Sequence, residues 1–386
     1  MLTLVAIAGA LFVYTYIGYP VLLGLFASAR RRPRVLAEPP VEWPTISIVL
    51  PAYNEAETIA ATLEQVLAID YPPQRRQILV VSDASSDGTD DVVARFADRG
   101  VELLRLPQRR GKTEAENAAR SYLRGEIVVN TDASVRIDRS AVKQLVAAFA
   151  DPTVGVASGR DSSVSNIDDR TNPGEHAYVG YDMWVRDLET MLSGIVGASG
   201  CLYAIRRELH MATMPDGLSR DFGSALVAHE AGFRAVSVPN AICYVPRSTS
   251  IRREYRRKVR TMARGLRTLW FKRALLFRGD AFAWMLWSHK LCRWLAPWGL
   301  MLAAVALTAL APGHWWAAAA PAAGGLAVLG AALGWFWPEG RPLPRLLALP
   351  TYAVTSNVAA VQAWFRALGR AGTALWEPTR RGVRQL

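Results

Sequence analysis

Two aspartates, each closing a short run of β-branched and apolar residues, are the first candidates for chemistry. Gln77-Ile78-Leu79-Val80-Val81-Ser82 ends in Asp83, and Glu126-Ile127-Val128-Val129-Asn130-Thr131 ends in Asp132. Runs of this kind, separated by helical patterns, predict parallel strands covered on both faces. In an open α/β sheet, ligands bind in the crevice beyond the carboxyl ends of the strands. A carboxylate there suits a metal–phosphate or a polyhydroxylated group, although either aspartate alone serves equally well as a cap for the next helix. Between them lies Pro107-Gln108-Arg109-Arg110-Gly111-Lys112, a basic loop leading into a helix predicted over 113–123. Guanidinium and ammonium groups beside a helix N-terminus bind phosphate. The position between two strand-end aspartates favours that reading over a solvated charged loop.

The supporting elements are read in chain order. A first strand over 45–50 ends at Pro51, which cannot extend a central strand, and Ala52-Tyr53-Asn54-Glu55 turns outward. Helices are predicted over 56–69 and 89–98, a strand over 101–106, a helix from Asp138 or Ser140, and a strand over 154–157. The polar, turn-rich stretch 158–172 reads as a mobile loop over the site, followed by a helix over 175–193. Residues 195–205 read as a strand punctuated by Gly197 and Gly200, where either a ligand or a packed neighbour approaches the backbone. Ser219-Arg220-Asp221-Phe222 opens a helix through Ala231, and 233–238 is a strand. Residues 251–273 form a basic helix carrying Arg256-Arg257-Lys258-Val259-Arg260-Thr261. Both a pyrophosphate-binding role and a membrane-hugging face fit it.

Composition limits the surroundings of this core. Of 386 residues, 51% are hydrophobic, and the excess sits at the two ends. Residues 2–29 are almost wholly apolar and long enough to span a bilayer as an uncleaved anchor. Arg30-Arg31-Arg32 then place the adjoining domain in the cytoplasm. Residues 33–44 are a proline-rich linker. Residues 281–295 hold Trp284, Trp287 and Trp294 with Lys290 and Arg293, an interfacial composition. Residues 297–311 and 315–337 read as two further spans, and 346–365, interrupted by Thr355, Ser356, Asn357 and Gln362, as a weaker one. A third crossing there puts Arg380-Arg381 outside, against the positive-inside rule. The net charge of +12 tracks these apolar segments, which suits anionic lipid and argues against nucleic acid as partner. Three cysteines without CxxC spacing give neither a metal site nor a disulfide framework.

Assembled, these residues resemble a membrane-bound family 2 glycosyltransferase of GT-A fold, in the branch of exopolysaccharide and cellulose- or hyaluronan-synthase-like enzymes. The resemblance rests on Ile48-Val49-Leu50-Pro51-Ala52-Tyr53-Asn54-Glu55, Val81-Ser82-Asp83-Ala84-Ser85-Ser86-Asp87-Gly88-Thr89, Arg110-Gly111-Lys112, Thr131-Asp132-Ala133-Ser134, Gly197-Ala198-Ser199-Gly200 and Arg220-Asp221, in family order over 45–264. It implies an α/β GT-A-type nucleotide-sugar-binding domain with a mostly parallel central sheet over 45–250. Basic and interfacial helices over 251–296, spans over 297–366 and a basic tail over 367–386 complete the expected organisation.

The resemblance also implies roles. Pro51, Ala52, Tyr53 and Glu55 line the base pocket, Asp83 holds the uracil or ribose side, and Lys112 sits near the base or diphosphate. Asp132 addresses the ribose and a metal–diphosphate, with Mg²⁺ or Mn²⁺ as cofactor. Gly197, Ala198, Ser199 and Gly200 form the acceptor side, and Asp221 is the base that deprotonates the acceptor hydroxyl. Arg257 and Arg260 match the QxxRW-type positions that support the leaving diphosphate. Three departures stand out. Ser134 replaces the second DxD carboxylate, so its metal ligand is weaker. Arg220 adjoins the base and depresses its pKa if the two side chains meet. Thr261 replaces the Trp of QxxRW, which weakens the case for a processive synthase. The implied activity is inverting transfer from a nucleotide sugar, with UDP expected, to a lipid-linked or growing glycan in cell-surface polysaccharide synthesis. The implied location is a bacterial-type inner membrane, multi-pass, in company with other polysaccharide-assembly proteins. A processive synthase and a non-catalytic sugar-nucleotide-binding subunit are the alternatives.

Overall fold

The computed structural model describes residues 1–30, 42–164, 173–212, 214–246, 250–338, 341 and 343–369. Arg31 and Arg32, most of the proline-rich linker, residues 165–172 of the expected mobile loop, and Arg380 and Arg381 lie outside them.

Eight strands form one sheet: β1 (Ile46–Ala52), β2 (Arg76–Ser82), β3 (Val101–Arg105), β4 (Ile127–Thr131), β5 (Arg136–Ile137), β6 (Val154–Val164), β7 (Leu202–Arg206) and β8 (Arg234–Pro246). Their spatial order is β3-β2-β1-β4-β7-β6-β8-β5. β3, β2, β1 and β4 run parallel, β7 is antiparallel to both its neighbours, and β6 pairs parallel with β8. The sheet is therefore mixed but mostly parallel, as expected.

The period-2 alternation of strand side chains builds the core on both faces. Ile46, Ile48 and Leu50 of β1 join Ile78 and Val80 of β2 and the helices Ile59–Leu67 and Ala141–Ala147 on one face. Val49, Leu79, Val81 and Val128 face the other way, against the helices Lys112–Ala119 and Arg220–Glu230. All seven β1 residues are buried, and each large aliphatic among them contributes about 1.5–3 kcal/mol of transfer free energy. The strand continues through Pro51 to Ala52. Pairing with β4 ends at Val49, so at Pro51 the strand is partnered by β2 alone, which tolerates the missing N–H.

Two sequence expectations change. β6 runs to Val164, so 158–164 is strand and not loop, held by parallel pairing to β8. Residues 195–201 are not strand. Gly194 has φ 135°, and the following N–H groups find other acceptors: Ile195 on the Ala235 carbonyl, Ser199 on Ser158 Oγ, and Cys201 on Ser199 Oγ. Side-chain acceptors of this kind compete with a ladder.

Among the described residues, three helices are long and apolar enough to cross a bilayer: Leu2–Ala29, Ala281–Leu310 and Trp315–Trp335. The tryptophan-rich stretch expected to lie in the interface is the first part of the second helix, which runs on through Pro297 after a π-helical turn at Leu286–Leu291. Two of its polar side chains find partners inside the protein. Trp284 Nε1 donates to Tyr14 Oη at 3.0 Å, and His289 meets Glu189 and Asp182 at 2.5 and 3.1 Å. The block expected as a weaker span is the helix Arg345–Leu368, docked on the basic helix Ile251–Phe271. Ser356 Oγ and Gln362 Oε1 accept from Lys258 Nζ and Tyr255 Oη, each at 2.8 Å, while Ala363 packs on Ala263 and Leu266.

Candidate active site

The turns after β1 and β2 are tied to each other before any ligand is considered. Asn54 and Ala84 sit at φ 52° and 57°, left-handed backbone that a non-glycine residue holds only at a cost. Ser85 Oγ accepts from Asn54 N, Thr89 Oγ1 from Glu55 N, and Asp87 Oδ2 from Ala56 N. Asn54 Oδ1 accepts from Ser86 N. The polar run Ser85–Thr89 thus serves the turn itself, while Glu55 accepts from Thr58 Oγ1 at 2.7 Å. Beside this turn, the Arg109 guanidinium lies 3.8 Å from the Tyr53 ring centroid, a cation–π contact.

Asp83 at the end of β2 holds the basic loop. Its Oδ1 and Oδ2 accept from the backbone N–H groups of Arg110 and Gly111, both at 2.7 Å. Gly111 has φ 95°, so glycine is required where the loop enters the helix Lys112–Ala119. That turn aims Lys112 across the sheet. Lys112 Nζ donates to Asp132 Oδ1 at 2.5 Å and to the Gly200 carbonyl at 3.1 Å, and Glu116 stands behind it at 3.9 Å. Burial alone lowers the Lys112 pKa, but the charges of Asp132, Glu116 and Asp221 outweigh it and hold the ammonium above the usual lysine range. Burial pushes the Glu116 carboxyl up, against the opposing charges of Lys112 and Arg220.

Asp221 opens its helix on the far side of Gly200. Ser219 Oγ donates to Asp221 Oδ1 at 2.5 Å, and the Ala198 N–H reaches the Asp221 carbonyl at 3.3 Å. A Cβ on Gly200 would stand 2.6 Å from Asp221 Oδ2, so the absence of a side chain lets the loop touch the carboxylate. Lys112, Asp132, Gly200 and Asp221 therefore converge, and Asp83 supports them through Gly111. Arg220 does not meet Asp221. Its guanidinium donates to Asn117 Oδ1 at 2.8 Å and to the His210 carbonyl, in the core behind the site.

The basic helix departs from expectation in one respect. Arg257 pairs with Glu254 of its own helix through Nε and Nη2 at 2.8 and 2.6 Å. Arg264 of the same helix lies beside the converging group, where its Nη2 donates to Thr113 Oγ1 and to the Leu218 carbonyl. Burial lowers its pKa, and the charges of Asp221 and Glu116 act in the opposite sense. Arg264 follows Arg260 by four positions and Arg257 by seven, the spacing of one helix face, and that periodicity was the signal in the sequence.

Among the described residues, no group of three or more His, Cys, Asp or Glu side chains is placed to hold a metal ion. Asp132 and Ser134 share the turn closed by the Val135 N–H on the Asp132 carbonyl at 3.1 Å. One carboxylate and one hydroxyl fit a hard divalent cation that takes its remaining ligands from diphosphate and water, and Lys112 already marks Asp132 as a cation-seeking site.

Residues 47–213 match the family described as Glycosyl transferase family 2. The chain carries a family 2 glycosyltransferase domain. An N-acetylglucosaminyltransferase of Rhizobium sp. (strain N33) is 26% identical over 222 residues, covering 52% of this chain and 48% of that protein. A poly-beta-1,6-N-acetyl-D-glucosamine synthase of Staphylococcus aureus (strain COL) is 26% identical over 208 residues, covering 52% and 49%. The chain thus spans about half the length of the curated relatives it matches. A mannosyltransferase of Pyrobaculum calidifontis, solved in complex with GDP-Man and Mn²⁺, aligns over 96% of this chain and 100% of its own, with 28% identity and a TM-score of 0.72. The glycosyltransferase domain has the GT-A fold expected for its family, and all four converging residues except Asp221 fall inside the matched span.

Proposed function

We propose that this glycosyltransferase moves a sugar, with inversion, from a nucleoside diphosphate donor to a hydroxyl of a lipid-linked or growing glycan at a membrane surface. The observation that carries this is the convergence of Asp221 Oδ2, the Gly200 backbone and the Lys112–Asp132 pair at the carboxyl ends of the strands. The acceptor oxygen attacks the anomeric carbon, its proton passes to Asp221, and the sugar–phosphate bond breaks toward the nucleoside diphosphate. Lys112 and Arg264 supply positive charge for that leaving group, joined by Arg260 and, once released from Glu254, by Arg257. Pro51, Ala52, Tyr53, Glu55 and Asp83 line the base side, and residues 197–200 face the acceptor. Asp132 and Ser134 would hold a divalent cation, which when bound would neutralise diphosphate charge.

The nucleotide is UDP by resemblance, whereas the relative that aligns over nearly the whole chain binds GDP-Man. Nucleotide release by purified protein across UDP- and GDP-sugars, with and without Mn²⁺ or Mg²⁺, separates them. Release from one donor that Asp221→Asn abolishes supports the reading. Donor binding without release, even with membrane lipid extract added, sinks it in favour of a binding subunit.

If the three apolar helices cross the membrane, with the transferase domain between the first and second, that domain and the docked helix Arg345–Leu368 lie on the same side, a reading that cytoplasmic arginines support. A fluorescent protein fused at the C-terminus of the full chain, which matures in the cytoplasm, is expected to be bright. A dark fusion refutes the topology.

A further inference from the structure

The arginines of the basic helix Ile251–Phe271 serve two faces. Arg257 pairs with Glu254, and Arg264 donates to Thr113 and Leu218 beside the transferase site. Arg252 and Arg256 instead line a separate cavity of about 300 Å³ with Arg366 of the docked helix, Tyr255, Gln362 and Trp335. Trp335 is the last residue of the apolar helix Trp315–Trp335, so the cavity opens where a membrane-crossing helix ends, the level at which tryptophan concentrates. Its aromatic wall is fixed. Tyr255 meets Trp335 edge-on with centroids 5.4 Å apart, and Tyr255 Oη donates to Gln362 at 2.8 Å. Arg252 lies 5.9 Å from the Trp335 ring.

No acidic side chain among the described residues lines this cavity. Among the described residues, the guanidiniums of Arg252, Arg256 and Arg366 make no salt bridge and no hydrogen bond. Three like charges around one small volume repel each other, and an anion reverses the sign of that interaction. The planar guanidinium fork matches phosphate oxygens in pairs. We infer that this cavity binds the phosphate of an anionic membrane lipid headgroup, at a site distinct from the sugar-transfer centre. The cavity's place at the end of an apolar span favours a lipid over a soluble phosphate. The inference rests on the membrane reading above and not on the transfer chemistry.

The test uses the detergent-purified full chain and native mass spectrometry with phosphatidylglycerol, phosphatidylcholine and inorganic phosphate as probes. Phosphatidylglycerol is expected to be retained over phosphatidylcholine. Binding should weaken on the order of fivefold per arginine replaced in Arg252→Gln, Arg256→Gln and Arg366→Gln. The three-site variant should lose the preference, and the corresponding lysine variants should keep most of it. Unfolding temperatures measured alongside show that the variants remain folded. Equal retention of the two lipids by the wild type, or undiminished retention by the three-site glutamine variant, overturns the proposal. Inorganic phosphate binding as tightly as phosphatidylglycerol and lost in the same variant overturns the lipid assignment. Nucleotide release on the same samples reports separately on the transferase reading.

Discussion

The β1–β2 side of the candidate site and the side packed against the apolar helices are held together differently. At the ends of β1 and β2, polar groups meet partners from the turn that follows a neighbouring strand, 28 to 34 positions away: Ser85 with Asn54, Thr89 with Glu55, Asp83 with Gly111. On the other side, partners come from distant elements. Ser158 Oγ accepts from Ser199 N 41 positions on, and Arg264 reaches Thr113 across 151. Glu189 accepts from Tyr19 of the first apolar helix and meets His289 of the second. The first kind of construction is pre-organised by the pairing of adjacent parallel strands, which brings their carboxyl-end turns side by side. The second exists only once the helices have packed. Catalytic geometry here depends on both, because Asp221 and Gly200 belong to the second kind and Lys112 joins them to the first.

The strongest test of this division lies at its meeting point. Asp221→Asn should lower turnover by about 10²–10⁴-fold while leaving donor binding intact, read as single-turnover nucleotide release against donor affinity. Lost donor binding would place Asp221 with the β1–β2 side instead. Next in size is Asp132→Asn, which leaves Lys112 without its closest counter-charge. Removing one partner of a buried pair costs about 3–5 kcal/mol, and with the side chains 15% and 19% exposed the low end, about 3 kcal/mol, is expected in denaturant unfolding. Tyr19→Phe removes a buried bond to Glu189 from the side packed against the apolar helices alone. The expected loss is about 1–3 kcal/mol, seen as a lower unfolding temperature with unchanged transfer per folded molecule. A fall in transfer would show that the apolar helices position the site directly.

The smallest effect is a pH dependence. His210 is buried, and burial, reinforced by the charges of Arg220 and Arg120, holds its pKa well below the usual histidine value. The folded state therefore stays unprotonated where the unfolded chain takes up a proton. Stability is full above about pH 6.5 and falls on acidification below it, by at most about 1.4 kcal/mol per pH unit. Unfolding temperatures between pH 7.5 and 5.5 should decline accordingly, and His210→Gln should flatten that decline. An unchanged slope in the variant would assign the acid sensitivity elsewhere.

The same contrast explains which parts could be read in the sequence. β1 to β4, Asp83, the Lys112 loop and Asp132 were legible because each is a contiguous motif whose alternation and turn residues act locally. The strand predicted over 195–205 failed because its apolar residues gave the right burial, while Gly194 and the hydroxyls of Ser158 and Ser199 took over its hydrogen bonds. Arg264 was missed because nothing beside it in sequence reveals Thr113. Residues 346–365 looked like a poor span, since Ser356 and Gln362 are polar for the sake of Lys258 and Tyr255, two residues on another helix.

The carboxylate of Glu189 also sets an order of events during synthesis. Its first partner, Tyr19, is made 170 positions earlier, and its second, His289, 100 positions later. At about 5–20 residues per second, roughly five to twenty seconds separate the emergence of the acid from that of the imidazole. Over that interval the first apolar helix has a docking face without its closing partner. The finished joint therefore forms once the first turns of the second apolar helix are made, and a chain halted before His289 presents an acidic seam without its imidazole partner instead.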